Sequence, residues 1–404
     1  MEEKLIKDNI CDTKLFYFAF FSIAAMTVLG GAAISPSLPS LEKHFSYVKN
    51  IDIIGKFVLT TPALFVIFFS PISGFLFDKF GRLKLMYPAM IVWSLSGVAG
   101  FFLDNVYHIL ISRAIFGIAT AFVMTGSAAL LADYYSGAKR ERAISIQGFY
   151  TSFGGATFLT ISGFLSNINW RYPFLVYLLG LVVFFLASRV LFEPARKFPN
   201  KAKPKEESTD ESFHISTFLP IYFLGFCGIS LYYIIPTQVP FFIVDVLHKG
   251  GELVGISVAV SSISGAMSSL FYARVRYLLK LEKESMYCIG FSLVGLGFCL
   301  IHIFHSYNAL LLSLIFIGSG YGIFLVTNAS WLFSLTKDSF RAKAYGFLAS
   351  SYFLGQFLSP IITQPIVEMI NIVNMFLAIG IISLLFGIWF FIEVRLKNIK
   401  TAES

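Results

Sequence analysis

Apolar residues run along this chain in blocks of about 20, the length a helix needs to cross a hydrocarbon core roughly 30 Å thick. Short polar clusters separate the blocks. Twelve spans are predicted, at about 15–37, 53–77, 85–103, 107–132, 143–166, 171–192, 216–243, 251–279, 285–304, 307–335, 340–369 and 371–394. The dyad alternation of an outer-membrane barrel is absent. The expected fold class is therefore an all-α membrane protein with twelve transmembrane helices.

Composition agrees with this reading. The chain is 56% hydrophobic and 13% charged, with a mean hydropathy of +0.75. A soluble domain carries about 25% charged residues and cannot hide so much apolar surface in one core. Cys11, Cys227, Cys288 and Cys299 show no metal-like spacing, and three of them lie in apolar segments, as core-filling thiols do. No metal or cofactor is expected. The polar lead MEEKLIKDNICDTK lacks the features of a cleavable signal peptide, so the first helix is expected to be retained.

The net charge of +8 is topological. With the N-terminus inside, the inner loops and termini hold 25 of the 31 Lys and Arg. The outer loops hold Lys43, Lys49, Arg171 and Lys249, while Lys56 and Arg113 fall within spans. This is the positive-inside bias, and it predicts a multi-pass protein of the inner (cytoplasmic) membrane with both termini cytoplasmic. It gives no reason to invoke a nucleic-acid partner.

The longest polar stretch, EPARKFPNKAKPKEESTDESFH at 193–214, reads as a cytoplasmic linker. It divides the chain into halves of six spans, 1–192 and 215–404. A shift of about 201 residues lays Gly117 on Gly318, Ala119 on Gly320, Gly154 on Gly355 and Arg142-Ala143 on Lys343-Ala344. Pro36 and Pro39 fall near Pro236 and Pro240. Two six-helix halves related by an axis along the membrane normal form a parallel-repeat transporter architecture.

The loop after span 2 reads GFLFDKFGRLKLM, Gly74–Met86. Here Gly74 permits close helix packing, Gly81 permits a tight turn, and Asp78 and Arg82 stand four residues apart. The spacing resembles the signature G-x-L-x-D-[RK]-x-G-R of the major facilitator superfamily. LGGAAISPSLP (29–39) and LISRAIFGIATA (110–121) resemble first- and fourth-helix motifs of its twelve-helix drug:proton antiporter branch, with Phe116 in place of the usual glutamine. GAKRERA (137–143) and FRAKA (340–344) resemble the paired basic loops. The span 5 hallmark of that branch is missing: GGATFLTISG (154–163) has Phe158 and Leu159 where Gly-Pro belongs.

The resemblance implies an alternating-access transporter with a central cavity lined by spans 1, 4, 7 and 10. It also implies that Asp78 sits against the N-terminus of span 11, near Arg341, where the helix dipole favours an anion by about 0.3–1 kcal/mol. Asp133 and Arg142 can complete that charge network. The expected gating set is thus Gly74, Asp78, Gly81, Arg82, Asp133, Arg142 and Arg341.

Two charges lie inside the spans. Arg113 is six residues into span 4 from its outer end, some 9 Å deep at about 1.5 Å per residue. Three readings stay open for it: snorkelling outward, pairing with a neighbouring carbonyl, or facing the cavity as a cation for cargo. Lys56, near the outer end of span 2, reads as snorkelling, with cargo contact second. All 23 acids fall in loops, termini or near span ends, so no carboxylate is expected mid-membrane. Asp245 and Glu368 near the outer ends, and Arg113 acting indirectly, are the proton-coupling candidates. Gln147, Tyr233, Gln238, Tyr321 and Asn328 need polar partners, either from neighbouring helices or from cargo.

The expected function is export of a small amphipathic or anionic molecule by a proton-coupled transporter, working as a monomer. An organic-anion or carboxylate-siderophore transporter without a carboxylate proton carrier is the alternative. A non-transporting membrane receptor is the alternative of another class. No nucleophile set, metal set or phosphate loop supports an enzyme.

Overall fold

The structure is a computed structural model that describes residues 13–135, 137–194, 215–336 and 341–403. Twelve long helices form it. The first six are α1 (Lys14–Ala32), α2 (Ile51–Phe80), α3 (Arg82–Val98), α4 (Val106–Tyr134), α5 (Gly137–Ile168) and α6 (Leu179–Val190). The second six are α7 (Ile215–Phe241), α8 (Gly251–Leu278), α9 (Lys283–Ile303), α10 (Tyr307–Leu335), α11 (Arg341–Ile370) and α12 (Ile372–Glu403). A 3-10 turn at Ser35–Ser37 and a short helix, Leu38–His44, follow α1. Among the described residues, ten helical segments are apolar and long enough to cross a membrane by composition and length, one of them joining the 3-10 stretch Tyr172–Leu178 to α6, and the described part of α1, Lys14–Met26, is apolar too. Most helix ends fall close to the predicted spans, except that α6 begins eight residues after its predicted start, behind the 3-10 stretch Tyr172–Leu178, and α12 continues beyond its apolar run to Glu403.

The turns are tight and chemically explicable. Gly81 alone separates α2 from α3, with φ 106°, a region that side chains with a Cβ avoid. Asn371, with φ 66°, is the single residue between α11 and α12. Asparagine is among the few residues that tolerate the left-handed region.

Each six-helix set repeats one packing scheme. In the first, α1 packs on α5, α2 on α4 and α3 on α6; in the second, α7 packs on α11, α8 on α10 and α9 on α12. The sequence repeat has an atomic counterpart. A Cβ at Gly154 would lie 2.6 Å from Cβ of Ala25, and one at Gly355 would lie 2.6 Å from the carbonyl oxygen of Phe226. Both partners, like both glycines, are related by the same shift of 201 positions. Glycine at these sites lets equivalent helix pairs touch along their backbones.

Across the halves, α2 packs on α11 and α5 packs on α8. An even number of crossings places Lys14 and Glu403 on one face, here the terminal face; the opposite one is the far face. Residues 195–214, most of the expected linker, lie outside the described residues.

Candidate functional site

Helix breakers in the spans create the polar sites. Proline has no N–H, so in a helix it leaves the carbonyl four residues earlier without its usual donor, and in lipid that carbonyl needs another. Pro240 frees the carbonyl of Pro236 in this way, and the Ser35 hydroxyl donates to it at 2.6 Å. The bond joins α7 to the turn after α1, and so one half to the other.

More inter-half contacts lie beside it toward the far face. Asn167 accepts from the backbone N–H of Gly251 at 2.7 Å and donates to Glu252, linking α5 to α8. Gly163 and Gly255 face each other there, so close that a Cβ on Gly163 would come within 2.9 Å of the Gly255 Cα. The rings of Phe57 and Phe357 stack at 5.7 Å between α2 and α11.

Lys56 is central to this seam. It is 3% exposed, so it does not snorkel: its amine turns inward to donate to Gln364 of α11 and lies 4.6 Å from the Phe241 ring centre. Gln364 in turn donates to Asp52 at 2.8 Å and to Glu368 at 3.3 Å. The charges of Glu42, Asp52, Glu368 and Asp245 all act on the buried ammonium. Asp245 and Glu368, expected near the outer ends as proton-coupling candidates, share one cluster with Lys56. Sequence reasoning missed Glu42, Asp52 and Gln364. Burial pushes the Glu42 carboxyl up to about 8; Lys56 opposes the shift, and Asp52 and Asp245 add to it.

The terminal face has a different network. Arg82 Nε donates to the Asp133 carboxylate at 3.0 Å. The backbone N–H groups of Arg82 and Leu83, which open α3, donate to Glu193 at 2.6 and 2.8 Å. Tyr134 also donates to the carbonyl of Phe192 at 2.6 Å. The start of the expected linker is thus a carboxylate cap on α3. Arg142 is exposed. The side chains of Asp78 and Arg341 lie outside the described residues, as does the expected latch between them. Gly74 does not need to be glycine for packing in this conformation, because a Cβ there would meet Thr125 at 3.9 Å, an ordinary contact.

These motif loops and the repeated halves carry a family resemblance that a sequence comparison tests. The chain matches the model of the Major Facilitator Superfamily over residues 20–277 and 275–403. It belongs to that superfamily. This makes it a membrane transporter and not an enzyme. Similar facilitators include Multidrug resistance protein 1 of Bacillus subtilis (strain 168), 26% identical over 90% of each chain. Quinolone resistance protein NorA of Staphylococcus aureus is 21% identical, over 91% of this chain and 92% of its own. Among solved structures, a bacterial homologue of the human lysosomal transporter Spinster, inward-facing and occupied, superposes with a TM-score of 0.75. It covers 94% of this chain and 96% of its own at 14% identity. A D-xylose–proton symporter superposes with a TM-score of 0.73, over 93% of this chain and 97% of its own at 16% identity.

In this facilitator Arg113 is wholly buried within the first half. Its Nε donates to the carbonyl of Val58 at 3.1 Å and its Nη2 donates to the Tyr177 hydroxyl at 3.3 Å. The guanidinium lies 4.1 Å from the Phe116 ring centre and 5.1 Å from that of Tyr177. Val58 is four residues before Pro62, so Arg113 supplies the donor that Pro62 lacks. Of its three sequence readings, the carbonyl pairing is the one this geometry shows. The signal was present in the sequence as a proline inside span 2.

Four of the other polar candidates, Tyr233, Gln238, Tyr321 and Asn328, belong to the second half. Gln238 donates to Thr363 of α11 at 3.1 Å. Asn328 accepts from Tyr287 of α9. Tyr321 of α10 stacks on Tyr232 of α7 with centroids 4.0 Å apart, and Tyr233 is buried beside it in sequence. Gln147 is half-buried on α5 in the first half.

Proposed function

We propose that this facilitator exports a small amphipathic molecule by alternating access, with the terminal face in the cytoplasm and protons as the coupling ion. The observation that carries the reading is the asymmetry of the inter-half seam. At the far face, α5 meets α8 backbone to backbone and Lys56 bonds to Gln364. Toward the terminal face, a Cβ on Gly148 of α5 or Gly346 of α11 would meet nothing within 4 Å among the described residues. A transporter loading from the cytoplasm presents this arrangement: shut outside, open inside. The lysine and arginine distribution supports the orientation.

Cargo chemistry follows from the wall of α7 and α10. The stacked Tyr232–Tyr321 pair, Tyr233, Gln238 and Asn328 give aromatic faces with a few polar groups, the mixture suited to a ligand with rings and hydrogen-bonding groups. The names of the multidrug and quinolone resistance relatives support this class. Asp245 and Glu368 are the proposed proton-handling carboxylates. A second reading, organic-anion transport, draws on the two buried cations Arg113 and Lys56.

Uptake into inverted proteoliposomes of neutral, cationic and anionic aromatic dyes, with and without a pH gradient, tests the proposal. Gradient-stimulated movement of the amphipathic neutral dye is expected. Movement of small anions alone, indifferent to the gradient, would replace it with the second reading.

A further inference from the structure

The far-face gate contains an acid on the helix Leu38–His44 that the transport pathway does not use. Glu42 packs on Gly55 of α2, where an added Cβ would come within 2.8 Å of the Glu42 Cγ. The glutamate stem therefore occupies volume that exists only because residue 55 is glycine. One of its carboxyl oxygens, Oε1, is buried and has no hydrogen-bond partner among the described residues.

The charged groups around Glu42 come from each element packed on its helix. Asp52 and Lys56 project from α2, and Asp245 lies in the turn of helix Phe242–Val246 that follows α7. Glu368 of α11 acts on Lys56, and His248 acts on Asp245. On its own helix, Lys43 is exposed and His44 lies against Trp170. Four carboxylates thus gather round one buried ammonium. Asp245 and Glu368 are exposed, and Asp52 accepts from the Gln364 amide. Glu42 has a buried oxygen without a donor, and burial without a donor favours the neutral acid.

We propose that Glu42 is a proton-binding site of the far-face gate, neutral while the gate is shut and ionised once water reaches it. The assignment rests on the alternating-access reading above. The proton comes from far-side water as the gate closes and returns to it as the gate opens, so Glu42 senses far-side pH without carrying protons across. The upward displacement of its carboxyl to about 8 agrees with this. A group whose proton affinity is raised in the closed state favours closure at low pH. That contribution is complete below the ordinary carboxylate range near 4.5 and is lost as pH rises through about 8. Between those limits, one linked proton changes the open-to-closed ratio by up to about tenfold per pH unit.

The test is a spin-label distance across the far face in the full-length protein in lipid nanodiscs without cargo. Labels sit at Tyr47→Cys and Met369→Cys, both exposed positions, in a background with the four native cysteines changed to serine. The parent is expected to show a growing long-distance population as pH rises from about 6 to about 9, approaching tenfold per unit. Glu42→Gln, a neutral mimic, is expected to hold the short distance and change less than about twofold over that range. Lys43→Gln, on the same helix, is expected to keep the parent profile. A parent distance that ignores pH, or a Glu42→Gln protein that keeps the parent profile, overturns the assignment. If the gate follows pH through Glu42 while proteoliposomes move no cargo, the export reading fails and the proton site stands.

Discussion

The two ends of the seam between the halves are built on opposite principles. At the far face the contact is irreplaceable in detail: Gly163 against Gly255, the Ser35 hydroxyl on a proline-freed carbonyl, and a buried lysine bonded to a glutamine of the other half. Toward the terminal face, a Cβ on Gly148 or Gly346, on helices that also touch the opposite half at their far ends, would meet nothing within 4 Å among the described residues. Gly148 and Gly163 lie on one helix, about 22 Å apart at 1.5 Å per residue. Glycine therefore has two uses on α5, contact at one end and clearance at the other, which sequence alone does not distinguish.

The strongest way to break that contrast is to fill both glycines. Gly163→Val forces α5 away from α8 backbone, and overpacking of this kind costs about 1–3 kcal/mol or more. Charged to the closed far gate, it is expected to lower transport by at least about tenfold and to bias the labels at 47 and 369 to the long distance. Gly148→Ala is expected to leave transport within about twofold and to add slightly to helix stability. Equal losses in the two variants would contradict the asymmetry.

The next largest effect is expected at Lys56. Lys56→Met keeps the stem but removes the ammonium from four acids and from Gln364. Taking one partner from a buried charge cluster costs about 3–5 kcal/mol, less here because two of the acids reach water. Transport is expected to fall by about tenfold or more and to recover partly in Lys56→Met with Asp52→Asn, which removes the stranded carboxylate held by Gln364. A single variant as active as the parent would remove Lys56 from the gate.

Arg113 offers a cleaner dissection, because its role is tied to a second residue. Arg113→Met leaves the Val58 carbonyl without a donor, at a cost of about 1–3 kcal/mol seen as a lower melting temperature. Pro62→Ala restores the α2 N–H that can satisfy the same carbonyl. In the Pro62→Ala background the cost of Arg113→Met is therefore expected to shrink by about 1 kcal/mol. Neutral and anionic cargo are expected to lose affinity together. A cost independent of Pro62, with selective loss of the anion, would point to cargo contact.

Much of this fold was legible from hydrophobic run length, because a bilayer demands spans of one size and their breaks are polar. The repeat was legible too, since glycines at backbone crossings recur at a fixed offset: Gly154 on Ala25 and Gly355 on Phe226. The site was less so. Lys56 and Glu42 are ordinary rim charges by position, and only packing reveals that one is buried and that the other's Oε1 has no donor among the described residues. Arg113 was visible as an anomaly, but its partner is a carbonyl, and backbone atoms leave no mark on a sequence. Pro62 and Pro240 are two of eight prolines inside these helices, and Arg113 and Ser35 answer the carbonyls that these two free.

The smallest expected effect concerns the terminal face, where contacts are exposed. Glu193 accepts from the first two N–H groups of α3, and its charge faces the positive end of that helix. Glu193→Gln keeps one acceptor and loses the charge, an effect of about 0.3–1 kcal/mol for a solvent-accessible helix terminus. Salt should screen it, so the difference in melting temperature between parent and variant is expected to narrow as ionic strength rises. Arg82–Asp133, half-exposed at 3.0 Å, belongs to the same weak class. This network joins helices of one half through exposed groups, whereas at the far face a buried lysine bonds to a glutamine of the other half. If Glu193→Gln cost as much as Lys56→Met, that difference between the two ends would disappear.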